Sequence, residues 1–286
     1  EMFHTWTLVH DDILDHDPLR RGDDTVHERF RRIARERYGE ISDAEADHYG
    51  LSIAILAGDV QHGWSISLLT ELTRERGLPA DLTLYLIERL DNEVLNRLLE
   101  GELLDVQYAL TPLGELTLEA IEDMLWKKTG ILYRYCAEAG ALIGLGRVEP
   151  DHPHVSHLAE FTSRCGIAFQ LQDDLLGVIG DPDSLGKPVG SDIREGKRTA
   201  VVHYAYEEAS PGERELLERT LGRIDASEAD VREVIEILTR RGGVERTRQR
   251  AGLHIEAALP HLDALPPSRW RDLLRSWADY MIRRNN

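Results

Sequence analysis

The chain has 286 residues, 42% hydrophobic and 30% charged, with a formal net charge of −18. That balance suits a globular protein with many exposed helix faces and carries no signature of disorder. The charge argues against a nucleic-acid partner, whose phosphates recruit basic surfaces, and no apolar run reaches the roughly 18 residues of a membrane helix. The opening Glu1-Met2-Phe3-His4 lacks the basic and apolar regions of a secretory signal, so a cytoplasmic location is expected. Cys136 and Cys165 are the only cysteines, too few for a disulfide framework and not in a zinc spacing. No Pro/Ser-rich linker or composition shift divides residues 1–286, which read as a single domain.

The pattern in chain order is helix after helix, and no alternating apolar run suggests a sheet. The first segment carries Trp6, Leu8 and Val9 and then Asp11-Asp12-Ile13-Leu14-Asp15, followed by Arg20-Arg21-Gly22. Helical spacing puts Asp11 and Asp15 on one face, where both could offer oxygens to one site. A helix is expected over about 81–110, with Leu86, Ile87, Leu90, Val94, Leu98 and Leu99 at three- and four-residue steps and Asp81 as its cap. A second runs from about Leu116 through Leu142, ending near Gly144 and Gly146. A third runs from about His154 to Ile179, stopped by Gly180 and Pro182. Residues 181–196 read as a loop, with turns at Asp181-Pro182 and Gly186-Lys187-Pro188, and are long enough for a functional lid. Ser210-Pro211, Ser227, Gly242-Gly243 and Pro266-Pro267-Ser268 then punctuate four further helices.

Two acidic clusters carry the chemistry. Acids are abundant in this chain, so Asp11, Asp12 and Asp15 taken alone could be a solvated helix face. Their apolar setting argues otherwise, because burying carboxylates without a partner or metal costs several kcal/mol. The same holds for Asp173-Asp174 within Phe169-Gln170-Leu171-Gln172-Asp173-Asp174-Leu175-Leu176, where Asp173, Gly177 and Asp181 would share a face. Lysine usage is sharper still, with 4 lysines against 30 arginines, at Lys127, Lys128, Lys187 and Lys197. An ammonium is a compact charge suited to a phosphate oxygen. A hard divalent cation that takes one or two carboxylates and leaves its other positions to water and phosphate fits both clusters, so the simplest ligand is a diphosphate bridged to two helices through Mg2+.

His10-Asp11-Asp12-Ile13-Leu14-Asp15 with Arg20-Arg21-Gly22, Lys128-Thr129, Phe169-Gln170 with Asp173-Asp174, Gly190-Ser191-Asp192 and Gly196-Lys197-Arg198-Thr199 follow in an order that resembles the trans-isoprenyl diphosphate synthases over nearly the whole chain. The resemblance implies an all-α isoprenoid-synthase-type helical bundle around a deep central apolar cavity, and a homodimer. It implies a prenyltransferase that condenses isopentenyl diphosphate with an allylic diphosphate, with about three Mg2+ per site. Asp11, Asp15 and Asp173 would be the foremost metal ligands, with Asp12 and Asp174 in support. Arg20, Lys128, Lys187 and Lys197 would hold the allylic diphosphate, while Arg21 and Phe169 would meet isopentenyl diphosphate. Lys128, Thr129 and Gln170 would line the place where the allylic cation forms. Phe3, Trp6 and Thr7, upstream of the first cluster, would set chain length, favouring a product of about twenty carbons (geranylgeranyl diphosphate) over fifteen (farnesyl diphosphate). Two departures stand out. The family's upstream Gly-Lys-Arg segment is absent, so the N-terminal segment is expected to be missing. Gly177 also stands where many relatives have a third acid, a role Asp181 could fill. A terpene cyclase would carry an Asn/Ser/Glu metal motif in place of Asp173-Asp174, and a non-catalytic regulatory subunit would be expected to lose both clusters.

Overall fold

The structure is a computed structural model that describes residues 1–180 and 190–283; Asp181 and Lys187 lie outside the described residues. Almost all regular structure in them is helical. Residues Glu1–Leu78 group into one compact unit, and the described residues from Pro79 onward into a second.

The first unit comprises α1 (Met2–Leu14), a ribbon of β1 (Leu19–Arg20) and β2 (Asp23–Asp24), α2 (Val26–Tyr38) and α3 (Asp43–Arg74). A capping box starts α3: Ser42 N–H donates to Glu45 Oε2 at 2.8 Å and Glu45 N–H donates to Ser42 Oγ at 3.2 Å. Its buried stripe of Ala46, Gly50, Ala54 and Gly58 recurs every four residues, so one face of small residues meets α2 and α1 closely. A β-carbon at Gly50 would stand 2.3 Å from the His27 carbonyl oxygen, and one at Gly58 would stand 2.2 Å from His10 Nε2. At Gly50 the obstacle is backbone, so no side chain larger than hydrogen fits unless α2 moves, whereas at Gly58 the His10 ring would have to turn aside. The ribbon corrects the expectation of no strands: four residues suffice for it, too few to leave an alternating pattern in the sequence.

In the second unit the chain is helical from Ala80 to Ala109, as α4 (Ala80–Glu88), a π-helical turn (Arg89–Val94) and α5 (Leu95–Ala109). Pro79 occupies the cap position, and Asp81 lies inside the first turn instead of capping it. The next stretch is α6 (Leu118–Leu125), a second π-helical turn (Trp126–Gly130) and α7 (Ile131–Leu145), closed by Gly146 at φ 67°. Then follow α8 (Pro153–Ile179), the short α9 (Ser191–Glu195), α10 (Ala200–Glu208), α11 (Pro211–Thr220), α12 (Glu228–Arg240), α13 (Gly243–Asp263) and α14 (Arg269–Arg283). The four expected breaks each fall between helices, because Ser, Pro and Gly act through the local backbone.

Helix α8 is the axis of this unit and packs on α7, α13 and α14. Its Phe161, Cys165, Ala168 and Leu171 are fully buried against Ala251, Ile255 and Ala258, while its Leu175 and Val178 join Val201, Leu217 and Ile237 in a second apolar cluster. Truncating Phe161, with 0% exposure, would cost about 3–5 kcal/mol. A helix held this firmly fixes whatever polar side chains it carries. No described helix is long and apolar enough to cross a membrane.

Candidate active site

The first acidic cluster lies in the last turn of α1, which has no basic residue there, while Asp173 and Asp174 lie more than one turn before the end of α8 at Ile179. Unpaired carbonyls make the end of α1 partly negative, so carboxylates there are doubly unfavourable unless a cation is supplied from elsewhere.

At the first cluster that cation is Arg20. Its Nε donates to Asp12 Oδ1 at 2.5 Å and its Nη2 to Asp11 Oδ2 at 3.1 Å, with Asp17 Oδ2 at 4.0 Å. The ribbon turns Arg20 back onto α1 through a two-residue loop in which Arg21 (φ 55°) and Gly22 (φ 82°) are both left-handed, the twist that suits a tight hairpin. Arg21, at the tip, is exposed. Asp12 is buried, and burial raises its carboxyl to about 6 despite the neighbouring guanidinium. Asp15 is the half-buried C-cap of α1, and its N–H donates to the Asp11 carbonyl at 2.8 Å. Asp17, outside the cluster read from the sequence, is buried here as well. One to two turns upstream, Phe3 and Trp6 are buried in an aromatic group with His62 of α3, with centroids 5.0 Å apart for Phe3–Trp6 and 4.9 Å for Trp6–His62. Thr7 spends its hydroxyl on the His4 carbonyl at 2.8 Å.

At the second cluster the adjacent acids diverge, Asp173 being exposed and Asp174 buried with 7% exposure. Asp174 Oδ1 accepts from Gln170 Nε2 at 3.3 Å, and among the described residues its Oδ2 has no hydrogen-bond partner. Burial, then the carboxylates of Asp192, Asp173 and Asp105, push the Asp174 carboxyl well above its ordinary range. Thr129 donates to Gln170 Oε1 at 2.9 Å, so Thr129, Gln170 and Asp174 form one hydrogen-bonded chain. Lysines stand at the rim. Lys128 Nζ lies 2.7 Å from Asp105 and 3.0 Å from Glu102, and Lys197 Nζ lies 3.1 Å from Glu195 and 4.0 Å from Asp192.

Local backbone features position these groups. Lys128 and Thr129 sit in the second π-helical turn, anchored by Trp126 Nε1 donating to Ser163 Oγ at 2.8 Å. Helix α5 approaches that turn at Gly101, where a β-carbon would lie 2.3 Å from the Lys128 nitrogen. Gly196 ends α9 at φ 78° and places Lys197, whose N–H donates to the Asp192 carbonyl at 3.0 Å. Phe169 stacks near Tyr133, centroids 5.9 Å apart. Lys127 points elsewhere, onto Glu100 at 2.7 Å and Asp123 at 2.6 Å, so its charge is used between helices. The sequence reading missed Glu102 and Asp105. An i, i+3 acid pair on the apolar helix Gly101-Glu102-Leu103-Leu104-Asp105 was the available signal.

Residues 1–238 match the profile of the polyprenyl synthetase family. The chain belongs to the polyprenyl synthetase family. It is therefore a trans-prenyltransferase of the kind that elongates prenyl chains. It is 35% identical to the short chain isoprenyl diphosphate synthase of Methanothermobacter thermautotrophicus, over 100% of this chain and 78% of that protein. It is also 35% identical to the geranylgeranyl diphosphate synthase of Sulfolobus acidocaldarius, over 83% of this chain and 64% of that one. Among solved structures, geranylgeranyl pyrophosphate synthase from Corynebacterium glutamicum, complexed with isoprenyl diphosphate and magnesium, superposes with a TM-score of 0.85 at 31% identity, covering 99% of this chain and 76% of that one.

The residues of this polyprenyl synthetase fit a hard divalent cation. The side chains around Asp174 that could face a metal are the carboxylates of Asp105, Asp173 and Asp192, and its own Oδ2, without a hydrogen-bond partner among the described residues, is a buried position that a cation would satisfy. Among the described residues no three His, Cys, Asp or Glu side chains are gathered closely enough to hold a metal by themselves. A hard divalent cation held by one or two of these carboxylates would complete its coordination with water and substrate phosphate oxygens.

Proposed function

We propose that the protein condenses isopentenyl diphosphate with an allylic diphosphate to a linear product of about twenty carbons, geranylgeranyl diphosphate. The observation that carries this reading is the buried, incompletely satisfied Asp174 among further carboxylates, rimmed by Lys128 and Lys197. Bound Mg2+, about three ions per site, would neutralise the diphosphate and the pyrophosphate that leaves it. Asp11, Asp15 and Asp173 are its proposed ligands, supported by Asp12 and Asp174. Arg20, Lys128 and Lys197 supply fixed positive charge to the allylic diphosphate, as does Lys187 from outside the described residues. Arg21 and Phe169 receive isopentenyl diphosphate. The hydroxyl of Thr129 and the amide of Gln170, held by each other and by Asp174, present oriented dipoles to the allylic cation without a protein nucleophile.

The Phe3–Trp6–His62 group is the proposed stop for the growing chain, with Thr7 beside it. A homodimer is part of the same reading. Exposed Leu56, Val60, Trp64 and Leu68 recur every four residues on α3, and Leu99, Leu103 and Val106 form a like stripe on α5, faces suited to a second copy. A cytoplasmic location is proposed with it. The test is product analysis with labelled isopentenyl diphosphate, Mg2+ and dimethylallyl, geranyl or farnesyl diphosphate in turn. A labelled twenty-carbon product is expected, and a fifteen-carbon end product would correct the length. Release of pyrophosphate without incorporation of label would overturn the reading in favour of a cyclase.

A further inference from the structure

His157 on α8 and His261 on α13 face each other, with their Nδ1 atoms 3.3 Å apart and their ring centroids 5.6 Å apart. They lie 16 residues before Asp173, which at 1.5 Å per residue is about 24 Å along α8 from the second acidic cluster. Both rings are half-buried. Each Nε2 lacks a protein partner among the described residues and is open to water, so the two Nδ1 atoms hold only each other. A second pair at the start of α8 differs. His152 and His154 have ring centroids 4.9 Å apart, but His152 Nδ1 already accepts from the His154 N–H at 3.1 Å. Two imidazole nitrogens each about 2.0–2.1 Å from Zn2+ and 3.3 Å from one another subtend about 107° at the ion, close to the tetrahedral angle. The separation that makes a hydrogen bond here is therefore also the bite of a zinc chelate. Pro260, immediately before His261 within α13, removes one ladder hydrogen bond from that turn and leaves its backbone room to adjust.

We propose that His157 and His261 form a second metal site, a two-histidine chelate for Zn2+ that clamps α8 to α13. Imidazole nitrogen suits Zn2+, whereas Mg2+ prefers oxygen, so the pair discriminates against the ion proposed for the acidic clusters. In the hydrogen-bonded pair one Nδ1 carries the shared proton. Binding moves that proton to the Nε2 of the same ring through water, both Nδ1 lone pairs turn to the ion, and neither ring changes charge. Each Nε2–H then donates to water, an outer partner typical of a metal-bound imidazole. No third His, Cys, Asp or Glu joins the pair among the described residues, so water completes the tetrahedron. An ion held between α8 and α13 binds only the folded chain and stabilises it by mass action.

Zn2+ binding is measured by calorimetry, with excess Mg2+ present to hold the oxygen sites, for native protein, His157→Gln, His261→Gln, their double variant and His152→Gln/His154→Gln. Each also has a thermal scan with and without Zn2+. Native protein is expected to melt higher with the ion, and each single variant to bind it at least about 10-fold more weakly. The double variant is expected to be no weaker than the singles, because one remaining histidine cannot chelate, a non-additive result. His152→Gln/His154→Gln is expected to bind as native does. Native protein that takes up no Zn2+, or uptake unchanged in both single variants, would overturn the site and leave the pair as a packing hydrogen bond. Loss confined to His152→Gln/His154→Gln would also overturn it, placing the ion at the start of α8. A second readout needs no variant. In native protein with isotope-labelled histidine, Zn2+ should move two Nδ1 resonances and leave the Nε2 atoms of those rings protonated, and movement of Nε2 resonances alone would count against the proposal.

Discussion

Two carboxylates of the second unit, Glu122 and Asp174, are alike in chemistry and opposite in circumstance. Glu122 on α6 takes Arg250 Nη2 at 2.7 Å and His254 Nε2 at 3.1 Å from α13, with a further contact to Arg250 Nε. Burial would raise its carboxyl, but the Arg250 and His254 hydrogen bonds outweigh that and bring it to about 2. Asp174 on α8 has one neutral donor, three neighbouring carboxylates and an orphaned oxygen, and it moves the other way. The first is a finished ion pair that ties two helices. The second is unfinished among the described residues, and a protein retains such a group where a ligand completes it. The first acidic cluster falls between them, since Arg20 partly neutralises Asp11 and Asp12 and must share that role with any arriving cation.

The contrast can be broken most decisively at Asp174 and its neighbour. Asp173→Ala and Asp174→Asn are each expected to lower kcat/KM for isopentenyl diphosphate incorporation about 100- to 1000-fold, the scale of losing one preorganised electrostatic group. Asp174→Asn should leave the metal-free protein at least as heat-stable as native, because it removes a buried carboxyl that burial and the neighbouring carboxylates disfavour in its charged form. A large drop in its melting temperature would put Asp174 in the same class as Glu122. Trp6→Ala comes next: it should destabilise by about 3–5 kcal/mol and lengthen the product on chromatography, and unchanged chain length would remove Phe3 and Trp6 from the stop.

Glu122→Gln sharpens the other side. It should cost about 2 kcal/mol at neutral pH through its charged hydrogen bonds while changing activity less than about twofold. A carboxyl held at about 2 contributes stability that is complete above its unfolded value near 4.5 and lost as pH falls through that window. The native acid limb of stability between about pH 4.5 and 2 should therefore flatten in Glu122→Gln, as read by urea melts. The raised Asp174 carboxyl has the opposite sign. Its proton is retained in the fold and lost from the unfolded chain above 3.8, so metal-free stability falls as pH rises from there. The smallest expected effect follows from it: the rise in melting temperature on adding Mg2+ with pyrophosphate should be greater at pH 8 than at pH 5.

Much of this was legible in the sequence, for reasons particular to each feature. Helix ends at Gly146, Gly180, Ser210-Pro211 and Gly242 are written in residues that act within one turn. The acidic clusters announced themselves because paired acids in an apolar helix are costly wherever they fold. The π-helical turns at Arg89–Val94 and Trp126–Gly130 were not legible, since an extra residue in a helix is settled by packing such as Gly101 against Lys128. Nor were the roles of Asp105 and Asp192 around Asp174, because the topology brings together residues 69 and 18 positions away from it. Lys127 and Lys128 are adjacent in sequence, yet one serves the scaffold and the other the rim of the cluster. Only the turn that carries them distinguishes the two.

The most direct measurement is the thermal shift produced by Mg2+ with inorganic pyrophosphate in native protein, Glu122→Gln and Asp174→Asn side by side. At saturating ligand the predicted rise is about 5 °C for native and for Glu122→Gln, the latter from a lower starting point, and little or none for Asp174→Asn. A full shift in Asp174→Asn, or its loss in Glu122→Gln, would contradict the claim that the unfinished carboxylate, and not the finished pair, is where the ligand binds.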